Sequence, residues 1–166
     1  DRYPKSPLAE DIRLGLAEAL VRSGAATEAR GRLEAFVVSG STDPRLPKAL
    51  FLLAQARQAA GERAAAAEAY TRLVRDYPSS EWTPAAWIPL GRLLLLARRW
   101  DEGRQVLERA LAGPDEATAV EAAFTLGEGF RARGAQEDAV EAYLTAASLA
   151  PASAWGRRAL LGAGQS

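Results

Sequence analysis

The strongest constraint on this chain is a period. Pro4, Ser41, Pro78, Pro114 and Pro151 follow one another at steps of 37, 37, 36 and 37 residues. Other columns keep this register. Twenty residues after each of the first four comes a turn position: Gly24, Gly61, Arg98 and Gly134. Five further on sits a small residue, Ala29, Ala66, Gly103 or Ala139, and four beyond it a large one, Leu33, Tyr70, Leu107 or Tyr143. Eight before each turn stands Leu16, Leu53, Leu90 or Leu126. A unit of this length cannot bury a core alone, so it must stack on its neighbours as a solenoid.

Helical spacing fills the units. "EDIRLGLAEALVRSG" places Ile12, Leu16, Ala19 and Leu20 on one face at three- and four-residue steps. "ALFLLAQARQAAG", "RLLLLARRW", "AAAAEAYTRLV" and "AVEAYLTAASL" behave alike, and strand-like alternation is missing. The pattern predicts about nine helices in antiparallel hairpins: repeats over 7–41, 42–78, 79–114 and 115–151, then a capping helix over 152–164. The fold class is all-α, a solenoid of antiparallel helix pairs. Residues 1–6 match the tail of a repeat. They predict a chain cut from a longer array, or one that begins against a preceding helix.

Each column has a physical reason. The small residue lets the two helices of a hairpin approach. The leucine and tyrosine columns fill the space between hairpins. Glycine at the turn accepts positive φ and ends the first helix. Proline after the second helix stops it, whereas Pro47 and Pro84 stand near the start of a first helix, where a missing N–H costs little. Trp82 and Trp155 share a column with Leu8 and are expected to pack over the joints. Pro89 has no counterpart; it predicts a helix that starts late, near Trp87, or one that kinks. The C-terminal helix is expected to cover the last hairpin with Leu160 and Leu161.

Composition narrows the chemistry. The chain has no histidine and no cysteine, so an imidazole base, a thiolate nucleophile, a zinc–thiolate site and a disulfide are all excluded. No catalytic residue, metal ligand or cofactor is predicted. Basic and acidic residues balance at 21 each, which gives no electrostatic case for nucleic acid. The longest aliphatic run, Leu93–Ala97, is far too short to insert in a membrane. The pairs Asp101-Glu102, Asp115-Glu116 and Glu137-Asp138 each open a helix, where carboxylates favour the positive dipole end.

The columns Leu53, Ala54, Gly61, Ala66, Tyr70 and Pro78 resemble a tetratricopeptide repeat. So do Leu126, Gly127, Phe130, Gly134, Ala139, Tyr143, Ala146 and Pro151, with support for the third repeat from Trp87, Leu90, Gly91, Leu94, Trp100 and Ala110. The long period and the "DYPSS" joint resemble the variety in bacterial envelope proteins such as the Tol–Pal coordinating protein and the barrel-assembly lipoprotein. The resemblance implies a non-enzymatic scaffold that holds a protein or peptide partner within a bacterial assembly, in the periplasm or cell envelope rather than the cytoplasm. An accessory module of an enzyme such as a lytic transglycosylase, or a regulatory domain of a signalling protein, stays open beside it. The resemblance also implies a right-handed superhelical solenoid with a concave groove lined by the first helix of each pair. Its inner columns are Leu14, Phe51, Ile88 and Phe124; Glu18, Gln55, Arg92 and Glu128; then Val21, Gln58, Leu95 and Arg131. An apolar stripe with a mixed polar border suits a peptide or helix laid along it.

Overall fold

The computed structural model describes residues 7–39 and 43–164. The joint at Tyr3-Pro4-Lys5-Ser6 and the Ser41 position lie outside the described residues. Among those described, nine α-helices and no strand occur. They are α1 (Pro7–Arg22), α2 (Ala26–Ser39), α3 (Leu46–Ala59), α4 (Arg63–Asp76), α5 (Thr83–Leu96), α6 (Trp100–Leu111), α7 (Glu116–Arg133), α8 (Gln136–Leu149) and α9 (Ala154–Ala163). The chain divides into two compact units, Asp1–Thr83 and Pro84–Ser166.

The turn column decides where first helices stop. Gly24, Gly61 and Gly134 have φ of 81°, 80° and 84°, and Arg98 has 59°. Each turn closes with the same pair of bonds. In the first, the Gly24 amide donates to the Val21 carbonyl and the Ala25 amide to the Leu20 carbonyl, at 3.2 and 3.0 Å. Arg98 to Leu95 and Arg99 to Leu94 repeat the pattern at 3.0 and 2.9 Å. This is the Schellman closure, which satisfies carbonyls the helix leaves open. Arg98 makes it without glycine's freedom, at a cost of about 1 kcal/mol. Arg98→Gly is therefore expected to raise stability by about that amount, read as a higher urea midpoint at unchanged slope. An unchanged or lower midpoint would show that the Arg98 side chain contributes more than the strain costs.

Small residues on first helices receive large ones from second helices. Ala17, Ala54, Gly91 and Gly127 are buried, and Leu33, Tyr70, Leu107 and Tyr143 are at most 1% exposed. A Cβ placed on Gly91 would stand 2.5 Å from Leu107 Cγ, and one on Gly127 2.5 Å from the Tyr143 ring. The other small column, Ala29, Ala66, Gly103 and Ala139, is buried throughout. Within each unit successive pairs then join. In the second unit Leu126 and Ala122 pack with Ile88, Leu107 and Ala110 of the pair before. Ala159 of α9 packs with Val120, Phe124 and Tyr143.

Three expectations need correction. Ile12 and Leu16 are exposed, while Leu14 and Ala17 turn inward. Leu126 in the same column is buried against the hairpin before it, and among the described residues none stands before α1. Leu160 and Leu161 also face water; α9 packs instead through Gly156 and Ala159, with Gly162 against the Tyr143 ring. Small residues serve there because a Cβ on Gly156 would fall 2.1 Å from the Ala150 carbonyl oxygen. Finally, of the two readings of Pro89 the late start near Trp87 falls, because α5 runs from Thr83 with Pro89 inside it. The carbonyl that loses its donor to Pro89 belongs to Ala85, an exposed residue, so water can take that place.

Candidate functional site

In the second unit, α5, α7 and α9 are the first helices of successive repeats. Between them runs an open groove of about 400 Å³. Phe124, Thr125 and Gly129 of α7 are buried and form its floor. Leu95 and Leu96 of α5, Trp100 of α6 and Trp155 of α9 supply apolar walls, and Leu96 is 67% exposed. Arg92, Arg131 and Arg158 bring charge to the edge, with Glu128 between them.

Most of that charge is neutralised in place. Arg92 donates to Glu121 Oε1 at 2.7 Å. Arg131 donates to Glu128 Oε2 at 3.0 Å, and the Tyr143 hydroxyl donates to Glu128 Oε1. Partial burial pushes the Glu128 carboxyl up, but the Tyr143 and Arg131 hydrogen bonds and the charges of Arg131 and Arg158 outweigh it and hold the group below the usual carboxylate range. Burial, followed by the bond to Glu128, pushes the Tyr143 hydroxyl up. Arg158 lies over two aromatic faces, 5.2 Å from the Phe124 ring centre and 5.1 Å from that of Trp155.

Five residues expected from the inner columns meet in this groove: Arg92, Leu95, Phe124, Glu128 and Arg131. Ile88 does not join them. It is buried in the core with Leu107, Ala110 and Leu126. The rest belong to the first unit. Leu14 is buried and lines a separate cavity of about 220 Å³ with Glu10, Arg13, Arg32 and Phe36. Glu18 pairs with Lys48 at 2.7 Å, and that hydrogen bond is the main cause holding its carboxyl below the usual range. Phe51 is half-buried between Tyr70 and Trp82, at ring distances of 5.9 and 5.4 Å. Gln55 is half-buried and Gln58 exposed. Leu96, Trp100, Trp155 and Arg158 line the groove from outside the inner columns. The Trp155 column was a usable signal, because Trp82 and Trp155 both follow a joint proline by four residues and each packs on a phenylalanine of the repeat before.

Among the described residues no group of three acidic, histidine or cysteine side chains stands where it could hold a metal ion. No helix among them is long and apolar enough to cross a membrane.

Residues 48–80 match the tetratricopeptide repeat family model. No curated protein matches the chain. Among solved structures, MamA from Desulfovibrio magneticus is 18% identical, with 93% of this chain and 91% of that one covered at a TM-score of 0.71. A tetratricopeptide repeat protein from Parabacteroides merdae is 14% identical and covers 93% of this chain and 59% of its own, at 0.77. The nearly identical TPR-like repeats of a putative kinesin light chain from Podosopora anserina are 20% identical, with 97% and 90% covered, at 0.72. These likenesses are of fold.

Proposed function

We propose that this chain, whose residues 48–80 match the tetratricopeptide repeat model and whose fold resembles that of solved repeat proteins, is a non-enzymatic scaffold that binds a segment of a protein partner. The groove over α5, α7 and α9 is the binding site in this reading. One observation carries it: an open trough with a buried apolar floor and an exposed leucine at its edge, bordered by arginines. Such a trough suits a peptide or amphipathic helix, whose apolar side chains fill it while its polar ones meet the border. The long period and the "DYPSS" joint support placement within a bacterial multiprotein assembly, in the cell envelope.

Leu96→Glu is the sharpest test. Leu96 is exposed, so a charge there removes little packing from the fold. It would desolvate badly under an apolar partner side chain, and partner affinity is expected to fall at least tenfold. Arg92→Glu is a poorer test, because it sets a second carboxylate against Glu121. A partner captured with the wild type would be titrated against both forms, with circular dichroism to confirm folding. Equal affinities would move the site off this groove.

A further inference from the structure

Arg158 differs from every other cation at the groove. Arg92 and Arg131 have carboxylates at 2.7 and 3.0 Å. Among the described residues, no carboxylate stands within ion-pair distance of Arg158, and its guanidinium donates no hydrogen bond. It is held by the faces of Phe124 and Trp155. The first unit shows the quenched version of this device. There Lys48 lies 5.4 Å from the Trp82 ring centre, but Glu18 neutralises it at 2.7 Å.

A guanidinium seated on aromatic rings keeps its charge while its in-plane N–H donors stay directed outward. Fixing the group beforehand lowers the entropy lost when a carboxylate arrives, and a planar fork can meet both carboxylate oxygens at once. Glu128 feels the charge of Arg158 but stands beyond ion-pair distance of it, with its oxygens bonded to Tyr143 and Arg131. Beside Arg158 lie the apolar walls of Leu95, Leu96 and Trp155. Resting on the reading of this groove as a peptide site, we infer that its occupant carries an aspartate or glutamate beside a large apolar side chain. The carboxylate pairs with Arg158 and the apolar group enters the trough.

The test uses the full chain and displayed random peptides as the probe. Panning is run on the wild type, on Arg158→Gln and on Leu96→Glu. An enriched peptide is then synthesised with its acid and with the matching amide, and titrated. Enrichment of acidic residues beside large apolar ones is expected. The amide peptide should bind the wild type about tenfold more weakly, since a bond to a charged group is among the stronger kinds. Arg158→Gln should bind both peptides alike, Arg158→Lys should keep part of the preference, and Leu96→Glu should lose both peptides. If groove binders, lost in Leu96→Glu, show no preference for the acid, or if Arg158→Gln keeps that preference, this inference falls and the groove reading stands. If Leu96→Glu selects the same peptides as the wild type, both fall. Should Arg158→Gln fail to fold, the acid and amide peptides on the wild type still decide.

Discussion

Tyr143→Ala is expected to remove about 3–5 kcal/mol of stability, the usual cost of emptying an aromatic site in a core. That is a large share of the roughly 5–15 kcal/mol that typically separates a folded domain from its unfolded chain. The residue is fully buried. Its ring lies over Gly127 on one helix and Gly162 on another, and meets the Phe124 ring at 5.6 Å. Gly127 and Gly162 offer no side chain to fill the space, so most of the cavity stays open. Tyr143→Phe separates the hydroxyl from the ring. It removes the bond to Glu128 and the interaction with Arg131, and should cost about 1–2 kcal/mol. Urea denaturation of the three proteins checks the order, wild type above phenylalanine above alanine. Equal losses in both variants would assign the whole effect to the hydroxyl and refute the packing account.

The same residue ties stability to the site. Tyr143 holds Glu128, and Glu128 holds Arg131 at the groove edge. In Tyr143→Phe the core stays filled, but one oxygen of Glu128 is freed within reach of the charge of Arg158. The fold and the border of the groove therefore share one side chain.

This sharing explains which parts were legible in the sequence. The turn column was readable because one residue carries the whole requirement: φ must be positive, and glycine reveals it at three of four positions. Facing columns of small and large residues were readable for a similar reason, since each is set by a single distance. The faces of the end helices were less so. Periodicity groups Ile12 with Leu16, but a helical face shows only what could be buried, and burial needs a neighbour. Leu160 and Leu161 fail in the same way, and glycine and alanine take their place at the contact. In the groove, a column names residues that point alike in every repeat. It finds Arg92, Glu128 and Arg131. It cannot tell that Ile88 is covered by the following pair, nor that Arg158 has no carboxylate at ion-pair distance among the described residues, because both depend on contacts between neighbouring repeats.

Two alanines test the facing columns most directly. Replacing a glycine inside a helix by alanine gains about 0.5–1 kcal/mol from backbone entropy alone. Gly15 of α1 is exposed, and a Cβ there meets nothing within 4 Å. Gly15→Ala should show that gain undiminished. At Gly127 the gain in backbone entropy is the same, but the new Cβ would stand 2.5 Å from two atoms of the Tyr143 ring. The ring cannot slide away, because a Cβ at Gly162, on its other side, would already lie within 2.9 to 3.1 Å of it. Overpacking of this kind costs about 1–3 kcal/mol and outweighs the helical gain. Gly127→Ala is therefore expected to be net destabilising by about 1–2 kcal/mol, against a stabilised Gly15→Ala, both read from urea midpoints. Adding Tyr143→Leu, a smaller side chain like those at Leu33 and Leu107, should restore part of the loss at Gly127→Ala. If Gly127→Ala were as stabilising as Gly15→Ala, the close approach of α7 and α8 at this column would be wrong.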